Sequence, residues 1–263
     1  MLTAGALVAG LLFGGMTLAT DASAKIVELG RVRSAPIVAP SCPTGASASN
    51  CSIVLERSTA VQTVTDGVIN ATKVKQAGWI VAFTVGLSNL SSDAKTELSY
   101  IHGLDVNYGG TPQIALTVLK PSRHNKYTVV AQSGTYHLIP FLGQVLQQPM
   151  SLPSTFSAFT ALPVKPGEVL GVTVPTWAPI LAYNLTATKY SYRQSRNSDC
   201  TNATKIQTAQ LTIGASAKYG CEYPGTRVEY SATEVVNQPY PKTYVGAPPV
   251  KKPTKKKHHH HHH

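Results

Sequence analysis

The chain has 263 residues, 43% of them hydrophobic and only 13% charged, with a formal net charge of +11. Twelve carboxylates against 23 lysines and arginines leave little material for paired acid/base chemistry, and because Lys251, Lys252, Lys255, Lys256 and Lys257 sit in the tail the folded part is less basic than the total suggests. The length fits a single sandwich or barrel domain with a full core.

Residues 1–24 read as a secretory signal peptide: Met1 to Ala19 is uncharged and apolar, and Ala22-Ser23-Ala24 supplies small residues for cleavage. The apolar run is short for a membrane span, and no later stretch reaches that length. Export without membrane insertion is therefore expected. Residues 25–50, rich in Pro, Ala, Ser and Gly, read as an extended lead-in, with the core beginning near Cys51.

Four cysteines in an exported chain favour disulfides over metal ligation. Three pairings are possible. Cys42 with Cys51 and Cys200 with Cys221 is preferred, because each closes a short polar loop and the spacing matches no zinc site.

From Cys51 onward, period-two patterning recurs. In Trp79 to Leu87, residues 79, 81, 83, 85 and 87 are large and predict one buried strand face. Further strands are expected at Ser52–Leu55, Gly67–Val74, Ile114–Leu119, Tyr127–Ala131, Val169–Val174, Ala209–Ala215 and Arg227–Ala232. In the segment from 209 to 215, Ala209, Leu211, Ile213 and Ala215 should face inward, with Gln210 and Thr212 outward. Glu229, alternating with Val228 and Tyr230, should face solvent beside Arg227. Turns are expected at Asp66-Gly67, Gly109-Gly110, Pro121-Ser122, Lys165-Pro166-Gly167 and Pro224-Gly225.

The one helix candidate is Asp93 to His102, capped by Ser92 and ended by Gly103. Short strands punctuated by Gly and Pro, without alternating helices, predict an all-β, antiparallel two-sheet sandwich, jelly-roll-like or immunoglobulin-like, with at most one or two short helices. The domain should span 51–236. Residues 237–263 read as a disordered Pro- and Lys-rich tail ending in a His run that has the form of a purification tag.

Cys42-Pro43 with Cys51, Ile114 to Pro121 with Lys126 to Val130, Leu162 to Val172, and Arg227 to Ala232 together resemble a group of exported actinobacterial β-sandwich proteins of unassigned function. The resemblance covers roughly Cys42 to Ala232 and rests on strands and turns, so it implies a fold and an envelope setting and carries over no site. Ser88 to Pro112 is an addition to that pattern. In the bacterial host so implied, the sequons at Asn50, Asn70, Asn89, Asn184 and Asn202 are chance matches.

No Gly-x-Ser-x-Gly elbow, His-Glu-x-x-His or Cys-x-x-Cys occurs, and no Gly-rich phosphate loop. Asp105-Val106-Asn107-Tyr108-Gly109 alternates oxygen donors like a calcium loop but lacks its later bidentate Glu, so a plain turn is expected. No catalytic residue, metal site or cofactor is assigned. The leading expectation is a non-enzymatic binding or structural module of the cell envelope, or one secreted beyond it. Its contact surface would be the 88–112 segment, where Tyr100, His102, Asp105, Asn107 and Tyr108 mix aromatic and polar groups. A glycan, envelope polymer or surface protein is the expected partner, with no specific nucleic acid. The alternative is a hydrolase acting on an envelope polymer or polysaccharide, with His137 or Glu222 as acid or base.

Overall fold

Extended chain dominates the molecule because turn-forming residues interrupt the sequence before any long helical period can develop. The structure, a computed structural model, describes residues 25–41, 53–150, 160–198, 200 and 207–236. The expected signal peptide, Cys42 and Cys51, and the 237–263 tail lie outside the described residues.

The strands, in chain order, are β1 (Lys25–Leu29), β2 (Leu55–Thr65), β3 (Val68–Ile69), β4 (Gly78–Gly86), β5 (Gln113–Ser122), β6 (Lys126–Gln132), β7 (Tyr136–His137) and β8 (Val145–Pro149). The second half contributes β9 (Leu162–Val164), β10 (Val169–Ala178), β11 (Leu181–Ala182), β12 (Tyr190–Gln194), β13 (Ser216–Lys218), β14 (Cys221–Pro224), β15 (Arg227–Val228) and β16 (Tyr230–Val236). The α-helix among the described residues is α1 (Ala94–Tyr108).

These strands build the expected antiparallel sandwich. The larger sheet runs β13-β6-β5-β10-β2-β12-β14, with β3 on β2 and β7 on β5; the smaller runs β1-β16-β4-β8, with β9 on β4. β11 and β15 form a separate two-stranded ribbon. The chain passes repeatedly between the sheets, so apart from neighbours such as β5 and β6 or β2 and β3 most paired strands are distant in sequence. Between the sheets, Ile80, Phe83 and Val85 of the smaller meet Leu116, Val118, Val172 and Val174 of the larger in one cluster. Phe83 meets Tyr136 edge to face at 5.0 Å between ring centroids. A second cluster on the outer face of the larger sheet joins Val61, Leu119, Val129, Val169 and Tyr219.

Several expectations change at the level of single residues. In β4 the strict alternation breaks: Ala82 opposes Thr233 while Ile80 opposes Glu234, so Val81 is an extra residue in a bulge. Ile80 is consequently the buried residue, while Trp79 and Val81 are only partly covered. Strand β2 runs ten residues past the expected Leu55, through Glu56 to Thr65. Its signal is weak because Thr59 and Gln62 are buried polar residues held by hydrogen bonds rather than by apolar contact. The expected strand at Gly67–Val74 shrinks to Val68–Ile69, since Asn70 takes a left-handed conformation at φ 55° and ends it.

Residues 209–215 form no strand, and the expected facing is reversed: Gln210 is buried, while Leu211 and Ile213 are exposed. The cause is a polar seam on the larger sheet. Thr59, Thr117 and Thr173 are fully buried, and Thr173 Oγ1 lies 2.9 Å from Thr59 Oγ1 and 2.7 Å from Thr117 Oγ1. Gln132 Nε2 donates to Thr117, to Thr173 and to the Gln210 carbonyl. Gln210 N donates to Thr59 Oγ1, and Gln210 Oε1 accepts from the Tyr219 hydroxyl at 2.5 Å. Buried polar groups must be paired, so satisfying Gln210 outweighs hiding two aliphatic side chains.

The lead-in is also partly packed. Lys25–Leu29 pairs with β16, and Leu29 and Ala35 are buried. Arg227 donates to the carbonyls of Ala35 at 2.9 Å and Pro36 at 3.0 Å, and the Val38 N–H donates to Glu229 at 3.4 Å. Glu229 is therefore 1% exposed, where solvent was expected, although its neighbour Arg227 is the expected one, at 3.5 Å. Strand Arg227–Ala232 breaks at this residue into β15 and β16. Cys200 and Cys221 are joined as expected.

Candidate functional site: a basic cleft beside the first strand

The 88–112 segment carries α1 over Ala94–Tyr108, which covers the expected helix at Asp93–His102 from Ala94 onward and runs beyond it. Asp93, not Ser92, is the cap: its carboxylate accepts from the Thr96 N–H at 2.8 Å. Gly103 does not end the helix, which runs on to Tyr108 and closes at Gly109 in the left-handed region, φ 83°. The expected turn at Asp105–Gly109 is therefore the last helical turn. Tyr100, His102 and Asn107 are exposed on this helix. Asp105 turns toward the larger sheet and accepts from the Trp177 indole N–H at 2.9 Å. Tyr108 is half-buried in the field of Glu56 and Arg196, and burial raises its phenol above the ordinary value. The five residues thus divide between two faces of α1 rather than converging on one concavity.

His137 lies on β7 against β5, whereas Glu222 lies on β14. β10, β2 and β12 separate those two edges of the sheet, so the fold does not bring the two groups together. Glu222 is committed to Arg193 in an ion pair and accepts from the Ser191 hydroxyl at 3.0 Å.

Three buried carboxyls carry more information than these. Glu56 and Glu229 are each pushed up to about 7, by desolvation on burial, with Arg196 and Arg227 respectively pulling them back. Glu56 lines a pocket of about 390 Å³ with Tyr183, Tyr192, Gln194 and Tyr223. Two of the rings there are already engaged: Tyr192 and Tyr223 stack at 4.8 Å, and the Tyr223 hydroxyl donates to the Cys200 carbonyl. The third carboxyl, Glu234, is 1% exposed, is raised by burial, and has no hydrogen-bond partner for Oε1.

Glu234 lines a cleft of about 890 Å³ between edge strand β1 and the β3 turn. Lys25, Arg31, Arg33, Lys73 and Lys75 surround it, against two carboxylates, Glu28 and Glu234. All five cations are exposed, and none forms an ion pair among the described residues. Glu28 is occupied by the Thr233 hydroxyl at 2.7 Å. Ile26 and Ile69 are 67% and 73% exposed and give the walls apolar contact area. Among the described residues no aromatic side chain lines the cleft.

The fold places these cations by two devices. β1 is an edge strand, with no strand paired to its outer rim among the described residues, and the turn at Asp66-Gly67 with the left-handed Asn70 swings Lys73 and Lys75 toward it. Lys73 is then pinned by its bridge to Val169. Cations from segments some forty residues apart form one field, a juxtaposition with no local sequence signature. No protein-family model, curated protein or solved structure matches the chain. Among the described residues no helix is long and apolar enough to cross a membrane, and no group of three or more His, Cys, Asp or Glu is placed to hold a metal ion.

Proposed function

We propose that the protein is a non-enzymatic binding module of the cell envelope or extracellular space, and that its ligand is a polyanionic envelope glycopolymer held in the cleft between β1 and β3. The observation that carries the reading is the set of five exposed cations around one concavity, none of them in an ion pair among the described residues. Like charges held close together repel, and a polyanion relieves that repulsion while releasing its own counterions. The disulfide between Cys200 and Cys221 fits an oxidising compartment, where such polymers occur. Single-stranded nucleic acid is disfavoured because a base-binding groove uses aromatic faces for stacking, and the described residues lining this cleft offer none.

The test is titration calorimetry of the full chain with soluble poly(glycerol phosphate), with dextran as a neutral control, across a salt series. Binding should weaken steeply with salt. It should fall at least tenfold in Lys73→Glu/Lys75→Glu, which leaves the Lys-rich tail untouched. Unchanged affinity in that variant would place binding in the tail and overturn the cleft reading; tighter binding to a single-stranded oligonucleotide would overturn the ligand class.

A further inference from the structure

Glu234 is out of place in an anion-binding cleft unless it does something the cations cannot. Its position is built rather than incidental. The bulge at Val81 sets Glu234 opposite Ile80, and Gly78 leaves the space its carboxyl occupies: a Cβ on Gly78 would stand 2.9 Å from Glu234 Oε1 and 2.5 Å from the Val235 carbonyl. The group is nine-tenths buried, lines the cleft, and leaves Oε1 without a partner, whereas Glu28 across the same cleft is satisfied by Thr233. A buried polar atom without a partner is costly, and a ligand able to supply one recovers that cost on binding.

We infer that Glu234 is the cleft's reader of hydroxyl groups: it hydrogen-bonds a ligand hydroxyl while the surrounding lysines and arginines hold the neighbouring phosphate or carboxylate. The inference rests on the cleft reading above and narrows its ligand from any polyanion to one that carries its charge on a polyol or sugar. A bare polyanion offers only acceptors to a carboxylate and leaves Oε1 unpaired. A hydroxyl-bearing repeat offers a donor one or two bonds from its anionic group. Discrimination of this kind is effective because the penalty falls on the ligand that lacks the hydroxyl.

The experiment compares the full chain's affinity for poly(glycerol phosphate), whose repeat carries a free hydroxyl, with that for inorganic polyphosphate matched in charge and length. The wild type should prefer the polyol polymer by about tenfold, the worth of one well-placed hydrogen bond. Glu234→Ala should erase the preference by weakening the polyol polymer alone. Glu234→Gln, which keeps the volume and an acceptor, should retain most of it and covers the case in which the alanine variant fails to fold. Equal wild-type affinity for the two polymers, or an undiminished preference in Glu234→Ala, overturns the role of Glu234 and leaves the cleft standing. Binding of neither polymer removes the cleft reading itself.

Discussion

The indole N–H of Trp177 donates to the carboxylate of Asp105, and this 2.9 Å bond ties the end of α1 to the larger sheet. None of the helix's residues is fully buried, so few apolar contacts share the load. Asp105→Ala should leave the Trp177 N–H unpaired, costing about 1 to 3 kcal/mol. Asp105→Asn, which keeps an acceptor, should cost less. Urea midpoints for the two variants, with tryptophan emission shifting to the red only in the alanine variant, check this.

The threonine seam makes a parallel prediction for the strap over the sheet. Gln210→Ala removes the acceptor for Tyr219 and should destabilise by about 2 kcal/mol. Thr173→Val removes the hydroxyl at the centre of the seam, reached by Thr59, Thr117 and Gln132, and should cost at least as much. Limited proteolysis should cut near residues 207–215 faster in both variants than in the wild type.

Acidity should stabilise this protein over part of its range. Glu56 and Glu229 titrate near 7 in the folded chain and near 4.5 when free, so between those values the folded state holds protons that the unfolded state has released. Stability from these groups is fully present below about pH 4.5 and is lost as pH rises through 7, by an amount on the order of 3 kcal/mol for each carboxyl. Denaturation midpoints at pH 5 should exceed those at pH 8. Glu229→Gln and Glu56→Gln should each flatten that slope, and an unchanged slope in both would reject the assignment.

Gly86 decides whether residues 31–40 can lie against the smaller sheet. A Cβ there would stand 1.7 Å from the Val38 carbonyl oxygen, closer than any contact permits. Gly86→Ala should therefore release the segment that Arg227 and Glu229 clasp. Faster hydrogen exchange at Val38 and faster tryptic cleavage after Arg31 and Arg33, with β10 still protected, are the expected signs.

Breaking the bridge between Cys200 and Cys221, which are 21 residues apart, should cost about 3 kcal/mol by loop entropy. Thermal melts of Cys200→Ser/Cys221→Ser measure it, and a melting point unchanged from wild type would show the loop to be held by other contacts.

The sequence by itself determined the class of fold, because alternation of apolar residues and the placement of Gly and Pro act over a few residues and need no knowledge of the whole. The strands at Ile114–Leu119, Tyr127–Ala131 and Val169–Val174, the Asp66-Gly67 turn and the Cys200–Cys221 bridge were legible on that basis. Helix α1 was legible in its first half only. Gly103 suggested a stop, yet it faces open space and costs the helix only its modest propensity penalty.

Tertiary structure alone decided the rest, through long-range polar contacts, a shift of register and the closing of the sheets, each of which overruled or lay beyond a local pattern. Gln210 went inward because Thr59, Gln132 and Tyr219 met it there, and Glu229 because Arg227 and Val38 did. Ile80 displaced Trp79 and Val81 from the interior because a bulge shifted the register. The cleft belongs to the same class: Lys25, Arg31 and Arg33 meet Lys73 and Lys75 only after β1 pairs with β16, at the far end of the described chain. Charge acts through space, so its pattern is set when the sheets close.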